Sequence, residues 1–208
     1  MRLKKFLIFA FVIINFLVIN QSYSIEPDVF VQSTVNRASE ALNNKYSKEE
    51  KIEKLKQIAS ETVDINGIGY YTLGAYRKNI SDNEINQYEM LFEQYFLKSF
   101  SSRLAEYSNP EIEVVSKEKL NENYTMVSSI LVGTEQRPEV KIDWRIYTKN
   151  AKNPLIRDLI IEGLSLARTQ KEEFSSIINS NDGKIDSIVT ITGHSTSLTS
   201  TTLIGGHQ

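Results

Sequence analysis

Acid–base chemistry in this sequence would have to come from carboxylates, tyrosines and basic side chains. There is no Cys, and the two His residues, His194 and His207, both lie in a Ser-, Thr- and Gly-rich stretch at the C-terminus. That leaves no basis for a zinc site or a Ser-His-Asp centre. The best-placed groups are Asp143 and Asp158, with Tyr124 and Tyr147 in neighbouring segments. An Asp held in an apolar cavity has its pKa raised toward the range useful for proton transfer, and isomerases and hydrolases work in this way. Against an enzyme, Asp143 has Arg145 two places on and Asp158 adjoins Arg157. Both acids therefore read more simply as surface or rim charges on the polar side of their strands. Gly67 and Gly69 make no phosphate loop, because they follow a helix, lack a third Gly at the right interval and have no acid placed for a ribose.

The elements that would carry these groups are legible from periodicity. Ile142, Trp144 and Ile146 alternate with Lys141, Asp143, Arg145 and Tyr147, the pattern of a strand with one apolar face. A polar run ending at Pro154 predicts a connection to a second, more apolar strand over 155–162, and Gly163 lets the chain leave the sheet, with Leu164 and Leu166 facing inward. Two earlier strands, 111–115 and 124–133, join through Asn121-Glu122-Asn123, and sequence neighbours of this kind form an antiparallel meander. A last helix runs from Ser165 through Phe174, Ile177 and Ile178 to a break at Asp182-Gly183, followed by a short helix with Ile185, Ile188 and Val189.

Helices precede the sheet. From Pro27 onward, the spacing of Val29, Phe30, Val35, Ala38 and Leu42 predicts the first, ending near Asn43-Asn44. Ser47 and Glu50 form a capping box for the second, whose Lys and Glu run is a solvated face. A third piece over 63–76 has Asp64 as N-cap, and close packing on a neighbour explains its small residues. Ser81 and Glu84 open the longest helix, to about Tyr107. Its stripe of Ile85, Tyr88, Phe92, Tyr95, Phe96, Phe100 and Leu104 is wider than one neighbour can bury. Such a stripe is either core or the lining of an apolar cavity, and the pattern alone does not separate the two.

The ends speak to export. Met1-Arg2-Leu3-Lys4-Lys5 is a positive start, 6–19 is apolar, and Ser22-Tyr23-Ser24 offers small-x-small before Ile25. This predicts a secretory signal peptide cleaved after Ser24, since the apolar run falls short of the ~20 residues of a membrane anchor. Cleavage takes three positive charges from a chain whose formal net charge is already −2. The remaining surface should repel nucleic acid and anionic membrane. Without disulfides, an exported fold rests on core packing.

The order of these parts resembles the MlaC family, also called the toluene-tolerance Ttg2 or Ttg2D family. The resemblance runs from about residue 27 to 189 and rests on Leu73-Gly74-x-Tyr76, 96–104, 140–146 and 158–166. It implies an α+β fold, a curved four-stranded antiparallel sheet wrapped by helices in a cone like that of nuclear transport factors, with an additional helical subdomain. The domain would span 25–192 (helical 25–107, sheet 110–163, C-terminal helices 164–192), with 193–208 a disordered tail. It further implies a periplasmic, monomeric phospholipid carrier with no cofactor beyond its lipid cargo. Its partners would be an outer-membrane lipoprotein and porin complex and an inner-membrane ABC transporter with an MCE-domain ring, and its role the maintenance of outer-membrane lipid asymmetry. With the tails inside and the head group outside, the expected lipid-contacting residues are Phe92, Phe96, Ile142, Trp144, Ile146, Leu159, Ile161 and Leu164, with Arg145 or Arg157 at the mouth. Where the family usually has an aromatic before its last strand and a Tyr ahead of the Asp, this chain has Pro154-Leu155 and Arg157.

Overall fold

The computed structural model describes residues 24–182, position 136 excepted. The greater part of the expected leader, the short helix at 185–189, both His residues and the tail lie outside the described residues. Helix α1 (Pro27–Ala41) starts with Pro at its first turn, where the missing N–H costs nothing. Helix α2 (Lys48–Thr62) begins with the expected box: Ser47 Oγ accepts from Glu50 N at 3.2 Å, and Glu50 Oε2 accepts from Ser47 N at 2.8 Å. Helix α3 (Ile65–Thr72) is capped by Asp64, which accepts from Gly67 N at 3.0 Å. It is shorter than its periodicity implied. Gly74, at φ +56°, turns the chain out of the helix into a single 3-10 turn at Tyr76–Lys78. Helix α4 (Asp82–Leu104) carries the second complete capping box, from Ser81 and Glu84.

Five antiparallel strands follow in the order β1-β2-β3-β4-β5: β1 (Ile112–Asn121), β2 (Tyr124–Leu131), β3 (Val140–Tyr147), β4 (Leu155–Ile161) and β5 (Leu164–Ser165). Helix α5 (Leu166–Ser180) closes the described chain, with Ser165 Oγ accepting from Arg168 N at 3.1 Å. The expected meander of four strands is present, and a two-residue fifth strand is added because Glu162 and Gly163, at φ 48° and 84°, make a tight hairpin. Strand β1 runs six residues past the expected Val115. Its register shifts between Val114 and Ser116, so the alternation changes phase there and continues through polar residues, hiding the strand from a search for apolar period.

The main core lies between the sheet and the helices, uniting Val31 and Val35 of α1, Ile65 and Ile68 of α3, Tyr88 and Phe92 of α4, Phe174 and Ile178 of α5, and Val127, Trp144, Ile146 and Ile156 of the sheet. A second cluster, built on Leu42, Leu55 and Ala105, ties α1 and α2 to the end of α4. Helix α1 lies along the free edge of β1. Gln32 Nε2 donates to the carbonyl of Ile112 at 3.4 Å and its Oε1 accepts from Val114 N at 3.1 Å, while Ser39 Oγ donates to the carbonyl of Pro110 at 2.8 Å.

Surface carboxylates hold several of these junctions. The Ser47 backbone N–H lowers the pKa of Glu50, the Ser81 hydroxyl that of Glu84, the Arg37 guanidinium that of Glu61, and the Lys117 ammonium that of Asp28. Each group binds its proton more weakly folded than unfolded. Its contribution is therefore present above the ordinary value, 4.5 for Glu and 3.8 for Asp, and is lost as pH falls through the lower folded value. Melting temperature is expected to be flat from pH 7 to about 5 and to fall below about 4.5, less steeply in high salt. A melting temperature unchanged down to pH 3 would show that these pairs do not stabilise the fold.

Candidate functional site

Strand register arranges the inner face of the sheet in rows. Thr125, Ile146 and Ile156 stand side by side at one end, then Val127, Trp144 and Leu159, then Val114, Ser129, Ile142 and Ile161, and finally Ile112, Leu131 and Val140. Each of the first three rows holds buried residues, Ser129 in the third being fully buried, and the last row holds none. Ile146 and Val127 are fully buried and Ile156 is 4% exposed, Trp144 and Ile142 are 8% and 9% exposed, and Ile112, Leu131 and Val140 are all half-buried. Trp144 is pinned in its row, since its indole Nε1 donates to Ser129 Oγ at 2.7 Å and that hydroxyl donates to the carbonyl of Ile142 at 3.2 Å. A polar group beneath the apolar face is thus fully satisfied.

The aromatic stripe of helix α4 likewise loses burial toward its C-terminal end. Tyr88, Phe92, Phe96 and Phe100 recur every fourth residue as a ladder of stacked rings, with centroids 5.9, 6.1 and 5.2 Å apart in turn. Tyr88 and Phe92 are each 2% exposed, whereas Phe96, Leu97 and Phe100 are half-buried. Phe174 of α5 meets Tyr88 and Phe92 edge-on and closes that end. Burial pushes the Tyr88 phenol well above its usual pKa, so it stays a neutral partner of Thr72 Oγ1 at 2.7 Å. The open ends coincide: Arg137, in the β2–β3 connection beside Leu131 and Val140, lies 5.6 Å from the ring centroid of Tyr107, just past the end of α4. Sheet and helix together enclose an apolar interior, fully buried around Ile146 and Tyr88 and half-buried around Ile112, Leu131, Val140, Phe96 and Phe100.

Close approach on the floor explains one of the small residues. A Cβ at Gly69 would stand 2.8 Å from Cδ1 of the buried Phe92 ring. Gly69→Ala is therefore expected to lower stability by about 1–3 kcal/mol, read as a shifted urea midpoint. An unchanged midpoint would mean that the ring yields freely. Gly67 has a different reason, its space being filled by the Asp64 carboxylate that caps the same helix.

Of the eight residues expected at the site, Phe92, Ile142, Trp144 and Ile146 belong to the packed core, and Phe96, Leu159 and Ile161 are half-buried. Leu164 was expected to face inward. It pairs with Ile161 at the corner of the sheet and is 43% exposed, because the tight Glu162-Gly163 turn carries β5 beyond the cover of the helices. The mouth residues Ile112, Leu131 and Val140 were missed. Their signal was the continuation of strand alternation to the strand ends, together with a register that places them in one row.

The arginines and acids stand elsewhere. Arg157 is at the closed end, its Nε donating to Asp64 Oδ2 at 2.5 Å and its Nη1 to the Tyr124 hydroxyl at 2.8 Å, with Tyr147 stacked beneath at 4.1 Å. It is an extra residue opposite β3, where the register shifts, and this position takes it away from the open end. Arg145 lies beside Asp158 on the outer face of the sheet. Asp158 is no rim charge, being 3% exposed. It accepts from Ser165 Oγ at 2.6 Å, from Ala167 N at 3.0 Å and from Arg145 Nη1 at 3.4 Å. Asp143, half-buried, accepts from Ser128 Oγ at 2.6 Å and faces Lys141 Nζ at 3.0 Å. Arg145, Asp143 and Asp158 serve the outer face and the junction with α5, and Arg157 ties the closed end of the sheet to Asp64 at the start of α3. Among the described residues no cluster of His, Cys, Asp or Glu is arranged to hold a metal, and no helix is long and apolar enough to cross a membrane.

An antiparallel sheet covered by helices on one side, with an apolar interior that is only half-buried at one end, defines the class: a mixed α+β protein with a lipophilic inner face. Residues 32–191 match the family model described as MlaC protein, and the chain belongs to that family. Among solved structures it is similar to a phospholipid-binding protein from Ralstonia solanacearum, determined in complex with a phospholipid. The two are 16% identical, with 81% of this chain and 96% of that chain covered, at a TM-score of 0.67. At that identity the likeness is one of fold. No match is found among curated proteins.

Proposed function

We infer that this protein is a phospholipid carrier whose acyl chains enter between α4 and the sheet from the end marked by Ile112, Leu131, Val140, Phe96 and Phe100. The observation that carries the reading is that the last row of the sheet and the aromatic stripe of α4 are both least buried toward the end where Arg137 meets Tyr107. Membership of the MlaC family and the phospholipid named with the Ralstonia protein support the choice of ligand. At ~0.8 kcal/mol per methylene, two chains of about 16 carbons cost about 25 kcal/mol to expose to water, so a carrier must offer a surface nearly as apolar as the bilayer. Leu159 and Ile161 extend that surface on the β4 side, while Phe92, Ile142, Trp144 and Ile146 form the floor and wall against which the tails stop.

The expected setting is the periplasm, reached by cleavage after Ser24. There the protein would exchange lipid with an outer-membrane lipoprotein and porin complex and with an inner-membrane MCE and ABC transporter, and so maintain outer-membrane lipid asymmetry. The test is organic extraction of protein purified from the periplasm, with mass spectrometry of both extract and polypeptide. Diacyl phospholipid in about equimolar amount and a mature N-terminus at Ile25 are expected. A folded, lipid-free protein that takes up none from vesicles would overturn the reading.

A further inference from the structure

The acidic balance of the chain conceals one face where cations and exposed aromatic rings collect. Helix α3 ends in Tyr70 and Tyr71, 44% and 42% exposed. Arg77, in the 3-10 turn that follows, lies over the Tyr70 ring at 4.9 Å, and Lys171 of α5 lies over the Tyr71 ring, also at 4.9 Å. Lys78 is exposed beside them. Between α3 and α5 runs an open groove of about 740 Å³, whose lining includes Tyr71, Arg168, Lys171, Ser175, Ser176 and Asn179, with Glu172 its acidic member. Gly74 brings the backbone against the stem of Lys171, since a Cβ there would stand 3.1 Å from Lys171 Cε, and this holds the ammonium at the groove.

Tyr, Lys and Arg share a build, an apolar body with a polar tip, that suits the boundary between headgroups and water. Two cations, with Ser175, Ser176 and Asn179 further along the same helix, match the oxygens of a phosphodiester. We propose that this α3–α5 face docks the protein on an anionic lipid surface, the groove receiving a phosphodiester headgroup between Arg168 and Lys171. The exposed rings favour a bilayer over an acidic polypeptide, because they gain by sitting at an apolar boundary. The acidic remainder of the chain does not oppose docking. Charges beyond about 8 Å are screened at physiological ionic strength, and nearer repulsion simply turns the other faces away. The inference rests on the chemistry of this face and not on the carrier reading, so the two can fail separately.

The experiment is co-sedimentation of the purified protein with vesicles of phosphatidylcholine alone or mixed with phosphatidylglycerol. Binding is expected only to the mixed vesicles and is weakened by salt. The double variant Arg168→Glu/Lys171→Glu should bind at least about tenfold more weakly, given the contribution of each cation near an anionic surface. Its extract should hold as much phospholipid as the wild type, which separates this surface from the interior. Should circular dichroism show that variant to be unfolded, Arg168→Gln/Lys171→Gln replaces it, with a loss of at least about fivefold expected. Wild-type protein that fails to bind the mixed vesicles, or a folded variant that binds as well as the wild type, would overturn the proposal. Retention on immobilised polyglutamate without vesicle binding would likewise overturn it, in favour of an acidic protein partner.

Discussion

Leu159→Asp is expected to yield a folded protein that retains less than about a tenth of the wild-type phospholipid. Leu159 stands opposite Trp144 in the row between the floor and the open end, and it is half-buried. A carboxylate at that position can find water while the interior is empty, so the fold should survive. Bound acyl chains would cover it, and burying an unpaired charge against hydrocarbon costs several kcal/mol, more than a tenfold loss in affinity. Lipid per protein by mass spectrometry, alongside an unchanged far-ultraviolet spectrum, is the measurement. Full lipid content in the variant would place the tails elsewhere. The same change at Ile146, fully buried, should unfold the protein and would report on nothing else.

Asp158→Ala should cost about 3 kcal/mol of stability, the largest loss expected from a residue on the outer face. The carboxylate is buried and receives a hydroxyl, a backbone N–H and a guanidinium from three places in the chain. Its removal leaves the Ala167 N–H without a partner inside the fold and Arg145 without its counter-ion. Because Asp158 fixes the point at which α5 leaves the sheet, the loss should also loosen the packing of Phe174 on Tyr88 and Phe92. Urea unfolding at neutral pH would show the shift. A loss under about 1 kcal/mol would mean that water or Ser165 replaces the carboxylate.

Much of this architecture was legible because its signals are local. Ser47 with Glu50, Ser81 with Glu84, and Asp64 each cap a helix within four residues of chain, and the alternation of Ile142, Trp144 and Ile146 needs only one strand to be seen. What escaped depends on distance across the fold. The continuation of β1 was hidden by a register shift at Val115. The burial of Asp158 follows from a hairpin and a helix start several residues further on, which turned an apparent rim charge into an internal anchor. Arg157 reads as a charge for the mouth until the register of β4 against β3 sends it to the closed end. The mouth itself is a row across three strands, and a row has no signature in any one of them.

Gln32 presents one donor and one acceptor to β1, the same pair that another strand's peptide group would present. Helix α1 therefore stands in for a neighbouring strand, and beyond it Lys117, Glu118 and Lys119 continue β1 with alternating charge. A second copy arriving edge to edge would have to displace helix α1, and in a parallel in-register pairing it would also bring like charges of that run together. For a protein with half-buried apolar residues at one end, this guards the β1 edge against growth of the sheet into a fibre.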